Sequence, residues 1–100
     1  MAVTELNEEN FEASVSKGTC VVDFFASWCG PCKMMAPVIE STAMSLPDVA
    51  FYKVDVDNAQ KLAMDYKVVS VPTLVVFKDG QPVKKSVGVI SKAELIDLIN

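Results

Sequence analysis

Two cysteines three residues apart, Cys29 and Cys32, carry the clearest chemical potential of this chain. They bracket Gly30 and Pro31 and follow Trp28, in a turn between an apolar run and a helical pattern. Thiols at this spacing at a helix start can close a small disulfide. Near the helix N-terminus, free N–H groups and the helix dipole favour a thiolate over a thiol. A thiolate is the species that attacks a disulfide. The second cysteine lies one turn further in, where it can attack the mixed disulfide and release the product. Proline in the turn lacks an N–H, and its φ suits a helix start. The same pair is also half of a zinc site, which needs two more ligands. The third cysteine, Cys20, begins a strand well before the turn, so the ligand count favours redox chemistry over zinc. Two small buried residues would be the plain alternative for the pair, and the position beside Trp28 argues against it.

Asp23 is the second signal. It interrupts the apolar run Val21-Val22-Asp23-Phe24-Phe25. A buried carboxylate is costly unless paired or protonated, so its pKa should rise. Perturbed acids cluster at functional sites; the alternative is a strand-edge acid that reaches water. The chain contains no His and no Arg, so few other bases exist. The absence of His removes Ser-His and Cys-His catalysis and His-ligated zinc.

The rest of the composition narrows the class. The 100 residues carry nine Lys, thirteen Asp and Glu, and a net charge of −4, and 51% are apolar. That is enough apolar material for one core and speaks against a disordered chain. An acidic chain without Arg is a poor nucleic-acid binder. No apolar stretch approaches the roughly 20 residues of a membrane helix. Met1–Asn10 lacks a basic segment followed by an apolar one, so no signal peptide is visible. A cytoplasmic setting is expected, an organelle remaining open if a targeting segment was removed.

These residues need a scaffold, and the pattern supplies one. Val3–Leu6 reads as a strand, followed by a helix capped by Asn7, with Glu8 and Glu9 in its first turn and a Leu6–Phe11 staple. Cys20–Ala26 reads as a central strand buried on both faces. A helix then runs to about Leu46, inner face Met35, Val38, Ile39, Thr42 and Leu46, with Pro37 kinking it or removing one bond. Val49–Val56 is a strand; Asp57 with Gln60 resembles a capping box for a short helix. Thr73–Phe77 and Pro82–Val87 form a hairpin about Asp79-Gly80. Ser91 caps a last helix with Leu95, Leu98 and Ile99 inward. The order is β-α-β-α-β-α-β-β-α: an α/β fold with a mixed central sheet flanked by helices, one domain over residues 1–100.

With Asp23-Phe24-Phe25-Ala26-Ser27-Trp28-Cys29-Gly30-Pro31-Cys32-Lys33, Pro37, Val54-Asp55-Val56-Asp57, Val71-Pro72-Thr73, Phe77-Lys78-Asp79-Gly80 and Gly88 in this order, the chain resembles the thioredoxin family over nearly its whole length. The Gly-Pro pair between the cysteines is like that of the reductases rather than the disulfide-forming relatives. The resemblance implies the thioredoxin fold and a protein disulfide reductase. Cys29 would be the exposed nucleophile and Cys32 the buried resolving thiol. Asp23 would exchange a proton with Cys32 through water, and Lys53 matches the family's lysine near this acid, although an outward surface lysine reads equally well. Trp28, rather than being core, would shield the site and touch partners. Pro72 would be cis and pack against the cysteines, and Val71 would pair its backbone with substrate. Gly30, Pro31, Gly88 and Val89 would complete a small uncharged rim suited to flexible protein substrates. Cys20 reads as inert core and Met34 as exposed near the site.

No Gly-rich dinucleotide fingerprint is present, so NADPH would act only indirectly. No bound cofactor is expected beyond the Cys29–Cys32 disulfide. The partner implied is thioredoxin reductase, with ribonucleotide reductase, peroxiredoxins and methionine sulfoxide reductases as family substrates. A monomer without membrane or nucleic-acid partners is expected. The competing reading is a binding module that uses the fold and its apolar rim without redox turnover.

Overall fold

The computed structural model describes residues 2–100 and places nine elements in the expected order. These are β1 (Val3–Leu6), α1 (Phe11–Val15), β2 (Thr19–Phe25), α2 (Gly30–Ser45), β3 (Ala50–Asp55), α3 (Gln60–Asp65), β4 (Thr73–Lys78), β5 (Gln81–Val87) and α4 (Lys92–Ile99). The sheet order is β1-β3-β2-β4-β5, with β1, β3 and β2 parallel and β4 and β5 antiparallel to their neighbours. Central β2 is covered on both faces, and its period-2 alternation divides the core. Cys20, Val22 and Phe24 join Leu6, Phe11, Val15, Leu62 and Phe77 on one face. Val21 joins Val3, Met35, Ile39, Phe51, Leu74 and Leu95 on the other. Asp23 has the parity of Val21, so it points towards α2.

Two local expectations change. Asn7 does not cap α1 directly. Its side chain accepts from the N–H groups of Glu9 (2.9 Å) and Asn10 (3.0 Å), building a turn that contains Glu8 and Glu9, and the helix starts at Phe11. The capping box at Asp57 and Gln60 does not form, because the N-cap of α3 is Ala59. Instead Asp55 accepts from the N–H of Asp57 at 2.9 Å, which frees the Asp57 side chain. Pro37 lies inside α2, as expected, and its missing donor is tolerated through to Ser45. The other signals hold. Asp79 and Gly80 both have positive φ, +50° and +86°, as a two-residue hairpin turn requires. Ser91 and Glu94 form a full capping box on α4.

The site lies where the carboxyl end of β2 meets the start of α2. Phe25 pairs in register with Asp55, so β2 and β3 end together and deliver their loops to one edge. This is where ligands and chemistry collect in α/β sheets.

Candidate active site

Cys29 is the N-cap of α2, and its sulfur accepts the N–H of Cys32 at 3.1 Å. Cys29 and Cys32 are joined as a disulfide, their Cα atoms 5.3 Å apart. An N–H aimed at the first sulfur is the local feature that stabilises negative charge there once the bond is reduced. The Cys29 sulfur also lies 3.6 Å from the carbonyl oxygen of Val71. The expected contrast of an exposed Cys29 with a buried Cys32 is not seen. They are 4% and 5% exposed and pack with Ala26 against Phe25, Val56 and Val71. The closed disulfide folds the first sulfur over the helix start and against the Val71 carbonyl. Gly30 and Pro31, one residue further out, are exposed.

Trp28 is 70% exposed, so it is not core. Its indole N–H donates to Asp57 at 2.8 Å, which fixes the ring beside the disulfide. Asp57 is a site residue that the sequence reading assigned to a helix cap. Its signal was the acidic run leaving β3 next to the loop that follows β2. Trp28, Val56, Val68, Val69, Ser70 and Val71 line a groove of about 370 Å³. Val69 is 94% exposed and was missed too, although an uncharged run Val68–Val71 before Pro72 marked it.

The Val71–Pro72 peptide is cis and Pro72 is buried. The N–H of Gly88 (φ +94°) donates to the Pro72 carbonyl at 2.9 Å, so the two loops are tied together. Val89 is exposed but lines neither this groove nor the cleft behind the disulfide.

Behind the disulfide, Asp23 is only 5% exposed, and its Oδ1 has no hydrogen-bond partner among the described residues. Burial pushes its pKa up to about 7, partly opposed by the Lys53 ammonium. Lys53 pairs in register with Asp23 and is half-buried, with its ammonium 5.6 Å from the Phe25 ring centroid. It is therefore not an outward surface lysine, and it does not ion-pair with Asp23 directly: among the described residues the one ion pair is Lys61–Asp65, at 3.7 Å. A cleft of about 210 Å³ joins Asp23, Lys53 and Cys32. Asp23, Lys33 and Lys53 give it polar walls, and it has room for water to bridge carboxyl and sulfur.

Cys20 is free, 1% exposed, and near the carbonyls of Lys17 (3.7 Å) and Ser14 (3.9 Å). Burial and the nearby Asp79 charge push its pKa up, the direction of an unreactive thiol. Met34 is exposed, as expected. Among the described residues no three His, Cys, Asp or Glu side chains gather where a metal ion could sit, and no helix is long and apolar enough to cross a membrane.

Comparison with known proteins agrees with this geometry. The thioredoxin family model matches residues 2–100. The chain is 49% identical to a thioredoxin of Chlamydia trachomatis over 98 residues, covering 98% of this chain and 96% of that one. A mutant thioredoxin from Halobacterium salinarum superposes with a TM-score of 0.91 at 40% identity, covering 97% of this chain and 87% of the other. A structure described as the basis of thiol resolution in yeast mitochondrial 1-Cys peroxiredoxin via glutathione/thioredoxin systems superposes with a TM-score of 0.88 at 37% identity, covering 96% and 92%. The redox pair at the start of α2, the five-stranded mixed sheet and these relatives place the chain in the thioredoxin family, as a disulfide oxidoreductase working by dithiol–disulfide exchange through Cys29 and Cys32.

Proposed function

We propose that this chain acts as a single-domain protein disulfide reductase in which Cys29 attacks and Cys32 resolves. The Cys29 thiolate attacks one sulfur of a substrate disulfide, forming a mixed disulfide and releasing the other sulfur as a thiolate, which takes a proton from water. Cys32, deprotonated by Asp23, then attacks the Cys29 sulfur, re-forming Cys29–Cys32 and releasing the second substrate sulfur as a thiolate, which takes a proton from water. Two electrons pass to the substrate and one disulfide to the enzyme. The observation that carries this reading is the N–H of Cys32 on the Cys29 sulfur, with the Asp23 cleft opening on Cys32 alone of the pair.

Lys53 is a positioning residue that tempers the Asp23 charge. Trp28, Gly30, Pro31, Val71, Pro72, Gly88 and Val89 contact the substrate. An extended substrate segment lies in the groove beside Trp28 and pairs with the backbone of Val71, which gives affinity with little sequence demand. Thioredoxin reductase, drawing on NADPH, returns the domain to the dithiol. Peroxiredoxins are substrates of choice, in line with the yeast peroxiredoxin structure above, together with ribonucleotide reductase and methionine sulfoxide reductase. The setting is cytoplasmic and the working form a monomer.

The test is reduction of insulin disulfides with dithiothreitol, wild type beside Cys29→Ser, repeated with NADPH and thioredoxin reductase. Turnover in the wild type and none in the variant is expected under both electron donors. Equal turnover in both proteins overturns the mechanism; no turnover in either leaves the binding-module reading in its place.

A further inference from the structure

The buried Asp23 carboxyl is flanked by two clefts rather than one. The first, described above, is also lined by Ser27 and Lys33 and reaches Cys32. The second, about 40 Å³, is lined by Val3, Asp23, Ala36, Ile39, Glu40 and Lys53. It has room for a single water, with three polar neighbours in Asp23, Glu40 and Lys53, which satisfies what an ordered water needs. Asp23, Ala36 and Lys53 border both clefts. Helix periodicity explains the arrangement: Cys32, Ala36 and Glu40 are four residues apart on α2 and lie along one face. The thiol and the Glu40 carboxylate are therefore about 12 Å apart along the helix axis. Between them the small Ala36 side chain leaves space over Asp23. Glu40 is half-buried, and the N–H of Ala2 donates to its Oε1 at 3.2 Å, which orients the carboxylate.

We infer that Glu40 is the proton exit of the resolving step: the proton that Asp23 takes from Cys32 leaves through the second cleft to Glu40 and solvent. The inference rests on the proposed role of Asp23. Ser27 and Lys33 flank the redox pair closely in sequence, so a protein substrate held on Cys29 would sit beside the first cleft and restrict it. The second cleft extends to Glu40, two turns further along α2 from Cys32. The step balances simply. Cys32 loses a proton, Asp23 gains and then loses it, and Glu40 passes it to water, with no change in redox state beyond the exchange itself. Glu40 acts through Asp23 and is a positioning residue, not a catalytic one. The other charged groups near Asp23 are Lys53 from β3, Glu5 in register with Lys53 on β1, and Lys33 on α2; β4 offers only Leu74 opposite Asp23.

Rapid-mixing kinetics of the resolving step test this, with Glu40→Gln, Glu40→Asp and Asp23→Asn beside the wild type. Each is followed across pH with a protein disulfide and with a small aromatic disulfide that leaves the first cleft open. For Glu40→Gln and the protein substrate, a slowing of about 3- to 10-fold is expected, a fraction of what a positioned acid–base group supplies. The first attack and the small disulfide are unaffected, Glu40→Asp retains most of the rate, and added imidazole restores Glu40→Gln. If Asp23→Asn slows resolution and Glu40→Gln does not, the exit lies elsewhere while the role of Asp23 stands. If Asp23→Asn has no effect, the base itself is misassigned and the exit falls with it. A Glu40→Gln defect that is equal for both substrates, or that only moves the pH midpoint, marks a purely electrostatic effect and rules the route out.

Discussion

The two ends of β2 hold sulfur in nearly the same degree of burial and in opposite chemical settings. At the amino end, Cys20 is 1% exposed; beyond the carboxyl end, Cys29 is 4% exposed. Burial alone cannot separate a reactive thiol from an inert one here. Cys20 faces carbonyl oxygens and a nearby carboxylate, all unfavourable to negative charge. Cys29 also has a carbonyl oxygen beside it, that of Val71 at 3.6 Å, but it faces in addition an N–H at a helix start, a second sulfur at bonding distance, an exposed indole and an apolar groove. What sets reactivity is a donor aimed at the sulfur and the access a partner has to it.

The largest effect that sharpens this contrast is on turnover. Cys29→Ser should lower insulin reduction by about 10³-fold or more, since the serine hydroxyl is a far weaker nucleophile at neutral pH. Cys20→Ala should leave turnover within about twofold and cost only about 1–2 kcal/mol of stability from the small cavity, as in other large-to-small core changes. Loss of turnover in the Cys20 variant at a temperature where it is folded would break the comparison.

Next comes the acid between the two ends. The folded pKa of Asp23 is raised to about 7, from the ordinary 3.8. The folded protein therefore binds this proton more tightly than the unfolded chain, and the associated stability is full below about pH 4 and lost as pH rises through 7. Asp23→Asn should thus match wild type near pH 4 and exceed it above pH 7, by up to the order of 4 kcal/mol. Thermal unfolding at both pH values checks it; an Asn variant less stable at pH 8 would contradict the buried, unpartnered carboxyl. Kinetically, the same variant should slow resolution by about 100-fold, the low end of what one positioned base supplies, and leave the first attack alone. Equal slowing of both steps in rapid mixing would remove Asp23 from the Cys32 end of the site.

The smallest effect concerns the rim. Asp57→Ala deletes the acceptor of the Trp28 indole, an exposed hydrogen bond worth about 1 kcal/mol. A few-fold rise in KM with kcat kept, and a changed Trp28 fluorescence, are expected. No change in either would make the indole contact incidental.

Much of this molecule was legible in its residues. The element order followed from apolar periodicity and from the turn chemistry at Asp79-Gly80 and the cap at Ser91. Asp23 stood out because a charge within an apolar strand has few explanations. What escaped depends on which loops share an edge. Asp57 looked like a local cap, whereas Asp55 takes the local role and Asp57 reaches across to Trp28, a contact 29 residues away in sequence. Val69 belongs to a groove only because the α3–β4 loop and the β2–α2 turn meet. The near-equal burial of Cys29 and Cys32 follows from the closed disulfide, a covalent state that residue types do not encode.

The most direct measurement is capture of the mixed disulfide. Cys32→Ser, reduced and exposed to a protein disulfide, should accumulate a one-to-one adduct, and peptide mass spectrometry should place the linkage on Cys29. Linkage through Cys20, or no adduct while wild type turns over, would contradict the assignment of Cys29 as attacking and Cys32 as resolving thiol.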